Sequence, residues 1–210
     1  IGVAPPIVRG SDIAFLHENW CSPDLVCQPG SIGLRARPRV GVVLRDWPVG
    51  SGSRFSDGFI PVLDQLRQRF EVFAISLDPA ADAGTLSSLA HLPTLIWRAG
   101  DMTIDTFART LSSMDVLVTS RAHGAICGAV LGRPSVILEI EPKLRVVHRM
   151  LPNSSRLLHW GAEPRVVVAA VEDALAIPLS SVCGDVERNY QLSKRAMLEV
   201  AGTIHEKCKR

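Results

Sequence analysis

No apolar run in this chain of 210 residues approaches the ~18 that a membrane-crossing helix requires. The longest candidates, around Gly124 to Gly132 and Val166 to Ala170, are broken by Arg133 and Glu172. No basic segment followed by an apolar stretch opens the sequence, so no secretory signal is visible, although the first residue is Ile1 rather than methionine. Charge of one sign is also lacking: 23 Lys and Arg face 21 Asp and Glu, a net of +2. A general nucleic-acid binder needs a basic surplus to release counterions, so that class is excluded and any anion site must be a local cluster. The five cysteines, at 21, 27, 127, 183 and 208, include no C-x-x-C pair and suit neither a disulfide framework nor a structural zinc site. Cys127 lies in an apolar run and is expected to pack as a small hydrophobe. These absences predict a reduced, soluble, cytoplasmic protein with no cofactor and no evident metal site.

The common phosphate-binding signatures are missing too. There is no G-x-G-x-x-G after the first candidate strand and no G-x-x-x-x-G-K-[ST] anywhere, so neither a dinucleotide fingerprint nor a P-loop is supported. A G-x-S-x-G nucleophile elbow is absent as well. What is present is 47% apolar residues, 21% charged and 5% aromatic, a composition that buries a core. The basic side is nearly all arginine, which suits forked recognition of carboxylate and phosphate.

Residues 1–38 carry Pro5, Pro6, Pro23, Pro29 and Pro38 with one short apolar run, Ile13 to Leu16. Such a segment reads as an extended linker or as the remnant of a missing N-terminal domain. From Arg39 the rhythm changes. Short β-branched apolar runs at 39–44, 71–76, 94–97, 115–119, 135–140 and, more weakly, 156–159 have strand length. Helical spacing separates them: from Phe59, over 83–91, 103–113, 122–131 and 143–151, then over 164–176 and 181–207. Continuously apolar strands alternating with helices predict an α/β domain over 39–210, a doubly wound, Rossmann-like parallel sheet covered on both faces.

In such a sheet the residues just past the strand carboxyl ends converge on the ligand crevice. Those positions hold Arg45 after the first strand, Ser120, Arg121 and His123 after the fourth, and Glu139, Glu141, Lys143 and Arg145 after the fifth. Cations collecting at one edge of a nearly neutral protein point to an anionic substrate. Ser120-Arg-Ala-His-Gly124 is a strand-to-helix turn in which Ser120 is expected to cap the helix and Gly124 to admit a ligand close to the backbone. Arg121 can grip an anion with two parallel bonds while His123 moves a proton near neutral pH. The alternatives stay open: Arg121 paired with an acid, Arg45 paired with Asp46, and His123 simply packed. Glu139 and Glu141 read as general bases or as neutralisers of Lys143 and Arg145, and Trp47 as a sugar-stacking or a packing residue. The loop holding Gly50-Ser-Gly-Ser53 and Asp57-Gly58 is a weak candidate for a flexible cover. His17, His91, His148, His159 and His205 have no partner at metal-ligand spacing.

The run Ser120-Arg-Ala-His-Gly-Ala-Ile-Cys-Gly-Ala-Val-Leu-Gly-Arg-Pro-Ser-Val-Ile-Leu-Glu-Ile-Glu-Pro-Lys-Leu-Arg145 resembles the polysaccharide pyruvyl transferase family: an R-x-H turn, a small-residue helix, G-x-P, a strand and an acidic-Pro-Lys turn. Val40-Gly-Val-Val-Leu-Arg-Asp-Trp47 is similar to the family's strand followed by an arginine, with Asp46 where a proline is usual. Asp12-Ile-Ala-Phe15 is similar to the segment that closes the family's first domain. The resemblance spans roughly residues 12–151. It implies the carboxyl-terminal domain of a GT-B-like fold and transfer of a pyruvyl group from phosphoenolpyruvate to a sugar or lipid-linked saccharide, forming a ketal. It also implies that Arg45 and Arg121 hold the donor, with Ser120, Gly124, Lys143 and Trp47 lining the same site, and that His123 serves in acid–base chemistry. Two other classes fit the same residues: a nucleotide-sugar glycosyltransferase or epimerase half, and a non-catalytic domain that binds an anionic sugar.

Overall fold

The computed structural model describes residues 10–16, 36–45, 48–49, 53–98 and 100–208. Its centre is a six-stranded parallel sheet. The strands are β1 (Arg39–Val43), β4 (Glu71–Ser76), β5 (Thr94–Ile96), β6 (Val116–Thr119), β7 (Ser135–Glu139) and β8 (Ser155–His159), in the spatial order β5-β4-β1-β6-β7-β8. Two two-residue strands, β2 (Pro48–Val49) and β3 (Ser53–Arg54), pair antiparallel in the loop after β1. A period cannot be read over two residues, so the sequence showed only a loop there.

Every buried position of β1, β6 and β7 faces one side or the other of this sheet, which is why those strands read as unbroken apolar runs. One face, with Val40, Val42, Val72, Val116 and Val136, is covered by α1 (Phe55–Arg69) and α6 (Pro164–Leu175). The other face carries α3 (Ile104–Ser112), α4 (Ala122–Val130), α5 (Pro142–Met150) and α7 (Leu179–Cys208), packed on Val43, Leu117 and Ile137. The short α2 (Ala83–Ser88) joins β4 to β5. The expected doubly wound α/β architecture is present, with boundaries within a few residues except at α1. That helix begins at Phe55, a full turn before Phe59, and carries Pro61 inside it. The sequence reading followed the apolar spacing at 59, 60, 63 and 66, which begins only at Phe59.

Numbering the sheet strands in chain order gives 3-2-1-4-5-6, so the direction of winding reverses between β1 and β6. Ligands in open α/β sheets bind outside the strand ends at that point. Residues 10–16, which the sequence grouped with the proline-rich segment, belong to the same packed body. A 3₁₀ turn, Ile13–Leu16, seats Phe15 fully buried among Ile126, Val130 and Val182. Ser11 Oγ donates to Asn189 Oδ1 at 2.7 Å, and Ser193 Oγ to the Asp12 carbonyl at 3.2 Å, fastening this turn to α7.

Candidate active site at the β1–β6 crevice

Val43 and Thr119 are register partners at the ends of β1 and β6, so the residues that follow them start side by side. The Ser120 N–H extends the ladder to the Val43 carbonyl at 3.0 Å. The Arg45 N–H donates to Ser120 Oγ at 2.8 Å. Ser120 is fully buried and its hydroxyl is spent on this cross-link, so it does not cap α4 as expected. The N-cap is Arg121, which makes no side-chain cap bond, and the turn is shaped instead by Thr119, whose Oγ1 accepts from the Arg121 N–H at 3.0 Å and donates to the Arg121 carbonyl at 2.9 Å. Gly124 is buried in the first turn of α4, where a Cβ would stand 2.2 Å from Thr119 Oγ1. The close approach that demands glycine here is to Thr119.

The side chains then diverge into one cleft of about 900 Å³, lined by Arg45, Arg121, His123 and Lys143 together with Asp12, Asp78 and Glu141. Arg121 reaches across β1 to Asp82, beyond the end of β4; its side chain is 16% exposed and that of Asp82 1%. Glu141 sits between two cations, with Arg45 Nη1 at 3.5 Å and Lys143 Nζ at 2.9 Å from its Oε1. Arg145 turns away to Glu139 at 2.6 Å and does not line the cleft. His123 stands at the mouth, 65% exposed, with Nε2 3.7 Å from Asp12 Oδ2. Trp47 and Asp46 lie outside the described residues. Apolar walls continue the cleft along α4, with Trp97 and Phe107 on one side and Val146 and Met150 on the other. Trp97 and Phe107 meet edge to face, their ring centroids 5.2 Å apart.

Cys127 also lines this space. Burial first, and then the nearby Asp12 carboxylate, push its thiol up to about 12, so it is a protonated apolar group rather than a nucleophile. Among the described residues no group of three or more His, Cys, Asp and Glu is placed to hold a metal ion. The arrangement supplies three permanent cations, each set against a carboxylate, and an imidazole open to solvent. A small anion entering here meets cations already offset by carboxylates rather than bare charges.

Sequence reasoning missed Asp82 and the apolar walls. Asp82 and Asp78 follow β4, the neighbour of β1, so extending the strand-end argument to that strand brings both into view.

Solved structures show the same fold. A glycosyltransferase from Rickettsia africae superposes with a TM-score of 0.55 at 12% identity, covering 91% of this chain and 55% of that one. The Anabaena protein HepE, solved in complex with UDP-glucose, gives 0.53 at 12% identity, covering 92% and 56%. These neighbours are GT-B enzymes, and this chain spans about half their length. Comparison with curated proteins finds no match. The profile of the polysaccharide pyruvyl transferases matches residues 2–142, a span that runs from ahead of the Asp12 turn to the start of α5 and contains Arg45, Arg121, His123 and Glu141; the chain belongs to the polysaccharide pyruvyl transferase family.

Proposed function

We propose that the β1–β6 crevice binds phosphoenolpyruvate and transfers its pyruvyl group to a sugar, as the donor-binding half (39–210) of a sugar-modifying transferase. The observation that carries this reading is the convergence of Arg45 and Arg121, from the ends of adjacent strands, with His123 in the same cleft. Phosphoenolpyruvate presents a carboxylate and a phosphate, and two arginines are the fewest that fix both groups. Lys143, and the first N–H groups of α4, offer further positive character to the phosphate.

In the reaction, the imidazolium of His123 gives its proton to the enol methylene, making it a methyl group and leaving positive character on the neighbouring carbon. A sugar hydroxyl adds there. Phosphate departs with its electron pair, and a second hydroxyl of the same sugar closes the ketal. Of the two hydroxyl protons released, one restores His123 and one leaves with phosphate. The arginines absorb the charge that builds on the departing phosphate. Ser120 holds Arg45 in place from below through its main chain, and Gly124 keeps the α4 N-terminus close to β6.

The test is phosphate release from phosphoenolpyruvate over a panel of saccharide acceptors, free and lipid-linked, with Arg45→Ala and Arg121→Ala alongside. Release that needs acceptor and is lost in both variants supports the reading. Thermal stabilisation by a uridine diphosphate sugar, with none by phosphoenolpyruvate, replaces it with glycosyl transfer.

A further inference from the structure

Arg121 is held by a carboxylate that faces almost no water. Asp82 is 1% exposed, and both of its oxygens are engaged. Oδ1 accepts from Arg121 Nη2, while Oδ2 accepts from Ser76 Oγ at 2.8 Å and from the Asp78 N–H at 3.4 Å. Ser76 ends β4 and is itself buried, so the carboxylate is anchored to the sheet. The main chain adds to this: the Asp82 N–H donates to the Asp78 carbonyl at 2.8 Å, closing the loop that presents the side chain. On the arginine, Nη2 is spent on Asp82, and the buried Nε–H has no partner among the described residues. A guanidinium so placed has one edge fixed and a donor still to be satisfied.

We propose that Asp82 is a positioning residue for the donor site: it holds the Arg121 guanidinium in the rotamer that receives the anionic donor. The inference rests on the phosphoenolpyruvate reading of the cleft. A long side chain that samples several rotamers binds more weakly in proportion to the time it spends elsewhere, so a pre-set arginine raises affinity without any new contact to the ligand. The opposite electrostatic effect is also built in. A neutralising carboxylate lowers the attraction between Arg121 and an anion, so removing it for charge alone makes the donor bind more tightly. The sign of the change therefore separates positioning from simple charge compensation.

Calorimetric titration of the intact chain with phosphoenolpyruvate makes the measurement. Asp82→Asn is expected to raise the donor Kd about tenfold while leaving the KM of a saccharide acceptor within twofold. In an Arg121→Lys background the same substitution is expected to change Kd less than twofold, because there is no planar fork left to orient. Unchanged or tighter donor binding in Asp82→Asn, with binding lost in Arg121→Ala, overturns the role of Asp82 and leaves the donor site standing. Binding retained in Arg121→Ala overturns the donor-site reading itself. If Asp82→Asn does not fold, Ser76→Ala takes its place. It removes one donor to Oδ2 and keeps the charge, and a Kd raised about threefold supports the proposal while an unchanged one refutes it.

Discussion

His123 and Cys127 lie one turn apart on α4 and line the same cleft, yet their surroundings assign them opposite chemistry. The imidazole is open to solvent with a carboxylate nearby, while the thiol is half-buried and pushed up to about 12. On the proposed mechanism, replacing His123 by alanine should lower kcat for phosphate release by about 10²–10⁴, the usual range for losing a general acid. The donor KM should move less than threefold, since the arginines keep the anion. Cys127 should stay unlabelled by an alkylating reagent at pH 8, while the exposed Cys183 is modified, as read by peptide mass spectrometry. A third residue, His148 on α5, does not line the cleft and reports on stability. Ser155 Oγ donates to the Leu151 carbonyl, so it accepts from His148 Nδ1 at 2.8 Å. Burial first, and then Arg156, lower the His148 pKa, partly opposed by Asp185. The unfolded chain therefore takes up a proton at higher pH than the folded one. The stability tied to neutral His148 is complete above the ordinary value of ~6.5 and is lost as pH falls from there through the lowered folded value. His148→Asn, which keeps a donor for Ser155, should flatten the dependence of the urea midpoint between pH 7.5 and 5.

At the scale of the element, the β6–α4 junction depends on a missing side chain. A Cβ at 124 would overlap Thr119 Oγ1, Thr119 Cβ and Val43 Cγ1, at 2.2, 3.0 and 3.3 Å. Gly124→Ala should cost about 1–3 kcal/mol by overpacking, and pairing it with Thr119→Ala should recover part of that loss in urea unfolding. The same junction marks where sequence reading succeeds and fails. Strands β1, β6 and β7 were legible because burial on both faces leaves no polar residue to break the run. Helix α3 was legible from Ile104, Phe107, Ala108 and Leu111 on one face, of which Ile104 stays exposed; Thr103 caps it, its hydroxyl accepting from the Thr106 N–H at 3.2 Å. Ser120 and Gly124 were recognised as special positions, but Ser120 does not cap α4 and the Thr119 contact beside Gly124 was not foreseen. Turn chemistry shows that a serine or glycine is needed and does not say what it meets: here an arginine main chain and a threonine hydroxyl.

For the whole molecule, what brings the site together is the order of the strands. Arg45, Arg121 and Glu141 come from stretches up to 96 positions apart, and the 3-2-1-4-5-6 arrangement makes them neighbours. That convergence was legible, because any parallel sheet with these crossovers delivers the same ends to one edge. The acid partners were not. Asp82 meets Arg121 across 39 positions and Asp12 meets His123 across a packed turn, and no local pattern encodes either pairing. Phe15 is the wedge that seats this turn. Phe15→Ala should reduce stability by about 3–5 kcal/mol, measured by urea unfolding, a loss typical of emptying a large aromatic site in a core. The turn also has a mechanical consequence. Ser11 and Asp12 fasten to α7, and the same Asp12 is the imidazole's acidic neighbour. Loosening of this turn is thus felt first at the mouth of the crevice, where Asp12 faces His123.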